Sequence, residues 1–162
     1  MPGLPIIDDI ITATLAADCS RLAALVRGYE RPCEAASGMG FSQWIECAVG
    51  APLGSPTKVF YTGACGGNEW NVEPSEVNRS TAFFINDITG FAGVLKVRPA
   101  ADVAGGDYFV AFNSPRYGIH VAAVDSNGIV GYFAAGCSVP DPVTLQGIVT
   151  KYQGKADLLF TP

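Results

Sequence analysis

The stretch from Val94 to Ala134 constrains the fold most. Val94 to Arg98 alternates between apolar and polar side chains, and so does Tyr108 to Phe112. Ile119, Val121 and Ala123 then alternate with His120, Ala122 and Val124, and Asp125-Ser126-Asn127-Gly128 follows. Asn-Gly between two strand-like runs is the strongest short hairpin signal a sequence offers. Ile129 to Ala134 therefore reads as the returning strand. A chain holding such a meander builds an antiparallel sheet. Without crossover helices between these strands, it does not build a parallel nucleotide-binding sheet.

Helices precede and follow the meander. Ile7, Ile10, Ile11, Thr14 and Leu15 fall at helical spacing, with Asp8 and Asp9 where a helix dipole favours negative charge. Asp18 reads as the N-cap of a second helix, carrying Leu22, Leu25 and Val26 on one face and stopped by Gly28. Val59 to Thr62 reads as a strand, and Gly63 to Gly67 as a turn. Ser75 is the expected N-cap of a third helix, with Val77, Thr81, Phe84, Ile85 and Ile88 at helical spacing and an end near Gly90. In the tail, Asp141 and Pro142 mark a fourth helix with Leu145, Ile148, Val149 and Tyr152 on one face, stopped by Gly154. Residues 29–56 are broken by glycine and proline and leave room for one short element around Phe41 to Val49. With no repeat and no linker, the 162 residues form a single α+β domain, N-terminal helices packed on one face of a curved antiparallel sheet.

Charged residues make up only 15% of the chain against 49% hydrophobic, so some surface is Gly- and Ser-rich loop or meets a partner. The net charge of −5 and the scattered lysines (Lys58, Lys96, Lys151, Lys155) exclude nucleic-acid binding, which needs clustered cations. No apolar stretch approaches a membrane span. Met1-Pro2-Gly3 does not read as the start of a signal peptide.

The five cysteines form no C-x-x-C pair, and with one histidine in the chain a zinc site is not expected. Two readings stay open: structural disulfides in an exported protein, or reduced thiols packed as small hydrophobes. On the first, Cys33 and Cys47 bracket a Gly-rich loop, while Cys65 and Cys137 each follow a strand-like run. Cys19, inside a helical pattern, is then the odd buried thiol. Connectivity is left open.

Several chemistries lack their residues. Gly63-Ala64-Cys65-Gly66-Gly67 has the glycines of a phosphate loop but not its Lys-Ser or Lys-Thr. Asp102 and Asp107 are too sparse for calcium. A hydrolase needs a base, and His120 is the sole histidine. It shares a strand face with Ala122 and Val124, pointing into a cavity, onto the solvated face or into a hydrogen-bonded core. Trp44, Tyr61, Trp70, Tyr108 and Tyr132 are amphipathic rings suited to lining an apolar pocket or a core. His120 with these five is the candidate ligand-binding set. No catalytic residue, metal or cofactor is assigned.

Ile10 to Val26, with Ala16-Ala17-Asp18 between helices and Leu22-Ala23-Ala24-Leu25-Val26 after it, resembles the start of the NTF2-like superfamily. Leu25-Val26-Arg27 leading to Cys33, the Gly-rich approach to Cys47, and Ile129 to Gly136-Cys137 resemble poorly characterised exported bacterial members of it. The likeness covers about residues 6–137 and leaves out the tail from Ser138. It implies a cone-shaped fold with a cavity between helices and sheet. No active-site pattern of the NTF2-like isomerases or epoxide hydrolases matches. The expected function is an exported, non-catalytic carrier of an apolar small molecule. A self-associating surface protein and an NTF2-like enzyme are the alternatives, and a homo-oligomer is compatible with the first two.

Overall fold

In a computed structural model of the chain, residues 4–35, 45–63, 68–98, 106–134, 144–151 and 155–162 are described. Helices α1 (Pro5–Leu15) and α2 (Cys19–Ala24) lead into strands β1 (Tyr29–Pro32), β2 (Pro56–Gly63) and β3 (Asn68–Asn71). Helix α3 (Pro74–Ile85) precedes the meander β4 (Gly90–Val97), β5 (Tyr108–Ser114), β6 (Gly118–Val124) and β7 (Ile129–Ala134). Helix α4 (Leu145–Lys151) and strand β8 (Ala156–Phe160) close the described chain.

The α1–α2 junction shows how local sequence sets geometry. Asp18 N–H donates to the Ala13 carbonyl at 2.9 Å and Ala17 N–H to the Thr14 carbonyl at 3.0 Å. That is the paired bonding of a Schellman motif, with Ala17 in the left-handed position at φ 51°. Asp18, the next residue, caps α2 by accepting from Arg21 N–H at 2.9 Å. One residue closes one helix and opens the next, as its sequence position predicts.

The eight strands form one sheet in the order β1-β2-β7-β6-β5-β4-β8, with β3 on β2. All pairs are antiparallel except β2–β7, which is parallel through Tyr61↔Gly131 to Gly63↔Phe133. Val59 is paired with both Tyr29 and Asn71, and Tyr61 with both Glu69 and Gly131. Hence β3 holds one edge of β2, while β1 and then β7 share the other. Gly28 makes the handover possible. At φ +64° it passes so close to β2 that a Cβ there would stand 2.2 Å from the Val59 carbonyl oxygen.

Both faces of the sheet are buried. On one, Phe60, Val94, Val110, Phe112, Ala122, Val124 and Tyr132 pack against Ile7, Ile10 and Ala13 of α1, Leu22 of α2, and Val77 and Phe84 of α3. On the other, Leu95, Phe109, Ala111, Ile119, Val121, Ala123 and Val130 pack with Ile148 of α4 and Ala156. The α+β architecture and the curved, mainly antiparallel sheet agree with expectation. The helices are not confined to one face, because β6 is buried at every position from Ile119 to Val124 and so needs cover on both sides.

Other expectations change in detail. Helix α3 is capped by Glu73 rather than Ser75, because Pro74 takes the first helical position where its missing N–H costs nothing. It ends at Ile85, short of Gly90, which already belongs to β4. The β6–β7 hairpin stands where Asn-Gly places it, but Asn127 is outside the left-handed region required of a two-residue turn. Asp125 builds the turn instead, its Oδ1 accepting from Asn127 N–H at 2.7 Å and Gly128 N–H at 2.9 Å. The element expected around Phe41, the Asp141 cap and Gly154 lie partly or wholly outside the described residues.

Candidate functional site

Three of the six candidate residues share the helix-side face of the sheet. His120 stands opposite Phe112 of β5 and Ala134 of β7, with only 1% of its surface exposed. Phe84 lies 5.6 Å from the imidazole and 4.4 Å from the Tyr132 ring, so a single phenylalanine joins the two. The Tyr132 hydroxyl accepts from Thr81 Oγ1 at 3.3 Å, and burial pushes its pKa well above the ordinary phenol value. Tyr132 is thus a packed core residue with its polar tip satisfied.

His120 Nδ1 is 2.7 Å from the carbonyl oxygen of Phe84. A carbonyl only accepts, so Nδ1 carries the proton and Nε2 is the bare nitrogen. That Nε2 is buried without a hydrogen-bond partner. Burial holds the imidazole pKa below its usual 6.5, against smaller opposing effects of the Phe84 carbonyl and the Asp87 charge. Phe83 stacks on the ring at 6.3 Å, and Tyr117 lies tilted at 5.3 Å with the Arg116 guanidinium over its own ring. The arrangement suits a neutral structural imidazole. Among the described residues, none donates a hydrogen bond to Nε2.

Tyr108, the third residue of that face, lies apart. It lines a surface cleft of about 450 Å³ between the start of α1 (Leu4, Pro5, Ile6) and the β6–β7 turn (Asp125, Ser126), with Asp107 on the rim. The cleft is apolar on the helix side and acidic on the turn side.

The other candidates do not converge on either place. Tyr61 alternates with the core residue Phe60 and so faces the opposite side of the sheet. Trp70 is paired with Phe60 in the β2–β3 ladder. Trp44 lies outside the described residues, as do Cys65 and Cys137. Cys33 and Cys47 form a disulfide. Cys19 is a free thiol, half-buried at the first position of α2 rather than enclosed in the core. Among the described residues, no group of three or more His, Cys, Asp or Glu could hold a metal ion. None of their helices is long and apolar enough to cross a membrane.

Sequence reasoning missed the exposed apolar run of β8. Among the described residues β8 pairs with β4 alone, so its outer backbone groups face outward. Leu158, Leu159 and Phe160 are 43%, 51% and 43% exposed. A register shift at Leu159 puts Leu158 opposite Leu95 and Phe160 opposite Val94, so apolar groups flank the open edge on both sides. Phe160 also stacks on Phe91 at 6.0 Å, which steadies it. The charge at this edge is neutralised within the chain. Asp157 accepts from Arg98 Nε at 2.9 Å and from Nη2 at 2.6 Å, and that hydrogen bonding holds its carboxyl below the usual range. The sequence Leu158-Leu159-Phe160 was itself the available signal.

Compared with protein-family models, with curated proteins and with solved structures, the chain finds no match.

Proposed function

We propose that this chain is an exported, non-catalytic binding domain that associates through the open edge of β8. The observation that carries this reading is the run Leu158-Leu159-Phe160, half-exposed on a strand that, among the described residues, is paired on one side only. Native sheets blunt such edges with lysine, proline or a bulge; β8 has a register shift at Leu159 but stays apolar, and an apolar edge adds a strand from a partner. Its low charge fits the 15% charged composition of the whole chain. The Cys33–Cys47 disulfide supports an oxidising compartment. Kinship with the NTF2-like superfamily belongs to the same proposal and rests on the helix pair joined at Ala17-Asp18.

Magnitudes set the strength of the contact. Covering three half-exposed side chains contributes about 1 kcal/mol each. Association costs at least ~4 kcal/mol in lost freedom. Side-chain cover alone therefore does not offset the cost, and strand-to-strand hydrogen bonds along β8 must supply the rest, which makes self-association by this edge weak. Sedimentation velocity across a concentration series tests it. The wild type should shift toward dimer as concentration rises, and Leu159→Lys should stay monomeric. A wild type that sediments as a monomer at every concentration removes self-association. Equal behaviour of the two proteins removes the β8 edge.

A small-molecule carrier is the second reading, favoured by the cleft beside Tyr108. Native mass spectrometry of unreduced protein separates the two. Extra mass on the monomer supports the carrier, and a ligand-free dimer supports the edge.

A further inference from the structure

We infer that His120 is a proton-operated latch: its neutral imidazole holds the C-terminal turn of α3 on β6, and proton uptake at Nε2 releases that turn. The geometry carries this. The Phe84 carbonyl lies at the end of α3, among groups that no later turn of the helix satisfies. His120 Nδ1–H supplies the missing donor at 2.7 Å from the middle strand of the meander. This bond joins residues 36 positions apart, tying helix to sheet.

The second ring nitrogen makes the bond conditional. In the neutral tautomer Nε2 needs only an acceptor's tolerance of dryness, a modest cost. Once protonated, Nε2 becomes a charged donor, and among the described residues it has no hydrogen-bond partner. A buried charged donor without a partner is among the most costly groups a fold can hold. Opening relieves it, because Phe83 is 52% exposed and lies beside the ring, nearly parallel to it with centroids 6.3 Å apart. Swinging Phe83 aside with the last turn of α3 admits water to Nε2 without disturbing the sheet.

The surroundings neither neutralise nor duplicate the charge. From α3 and the segment after it come Phe83, Phe84 and the carboxylate of Asp87, whose influence favours the cation but is outweighed by burial. The β5–β6 turn brings the Tyr117 phenol and the cation of Arg116. Strand neighbours Phe112 and Ala134 bring no titratable group. Beyond Phe84 stands the Tyr132 phenol, bonded to Thr81. His120 is therefore the group on which the latch turns, taking up its proton below the ordinary imidazole value.

The chain's one histidine makes the test direct. Imidazole signals of the unreduced protein are followed by NMR from about pH 7.5 to pH 5, alongside amide hydrogen exchange of residues 77–86. The expected result is an imidazole titrating below 6.5. Protection in α3 should fall by up to about tenfold per pH unit below that value, the slope of one linked proton. His120→Phe keeps an aromatic ring and cannot titrate, so its α3 protection should stay level over the same range. Should that variant fail to fold, Phe83→Ala gives the second reading, its midpoint moving up toward 6.5 as Nε2 meets water. An imidazole titrating at its ordinary value with unchanged α3 exchange would overturn the latch. So would a pH dependence retained in His120→Phe, or a Phe83→Ala midpoint that does not move.

Discussion

Ala17 carries a backbone conformation that suits glycine, and it does so on the surface, where nothing packs against it. A non-glycine residue in the left-handed region costs about 1–2 kcal/mol. Glycine gives back part of that gain through a freer unfolded chain. Ala17→Gly should therefore stabilise the domain by about 0.5–1 kcal/mol in urea unfolding, with the m-value unchanged. Gly28 and Gly54 separate conformation from contact. Both have positive φ, +64° and +81°, but an added Cβ meets the Val59 carbonyl at the first and nothing within 4 Å at the second. Gly54→Ala should cost about 1 kcal/mol and Gly28→Ala at least twice that, since backbone must shift. Similar losses would show that the close approach to Val59 is not rigid. At His120 the sign of the pH effect is fixed. A folded-state pKa below 6.5 means that the unfolded chain binds more protons, so this group's stability is present above 6.5 and is lost as acid approaches the folded value.

Among the elements, the Cys33–Cys47 bond encloses a loop with a separation of 14 residues. Closing such a loop in the unfolded chain is worth about 3 kcal/mol. Reduction should lower the unfolding free energy by about that amount, and thiol counting before and after checks that this bond has opened. The elements that sequence revealed are those whose pattern is written within themselves. The spacing of Ile7, Ile10 and Thr14 marked α1, and Asp18 marked α2. Alternation from Tyr108 to Ala134 marked three strands. Strands β1, β3 and β8 went unseen for the opposite reason. Tyr29-Glu30-Arg31-Pro32 and Asn68-Glu69-Trp70-Asn71 are charged or polar, and are strands only because β2 pairs with them. Ala156 to Phe160 is held by β4, some 60 residues earlier. Alternation also put His120 with Ala122 and Val124 correctly. What it left out is that this face is closed, since burial depends on α3 arriving from a distant part of the chain. The nearly unbroken apolar run from Ile119 to Val124 did carry the message that both faces of β6 are covered.

At the scale of the whole molecule, the proposed association and the acid latch sit on different elements and should respond independently. Leu159→Lys should change sedimentation and leave the imidazole titration alone; coupled changes would mean that the two regions share one conformational change. The parallel contact between β2 and β7 bears on something else, namely the order in which a nascent chain becomes a domain. On the side away from β3, Tyr61 finds its neighbour at Gly131, so most of the polypeptide must leave the ribosome before the sheet can unite its two halves. Until then the end of β2 from Tyr61 to Gly63 is bare on that side, and so is one flank of the emerging meander. Such a chain is most vulnerable to wrong pairing during synthesis. Slower translation before β7 should therefore lower the soluble yield of this protein, even with every finished contact intact.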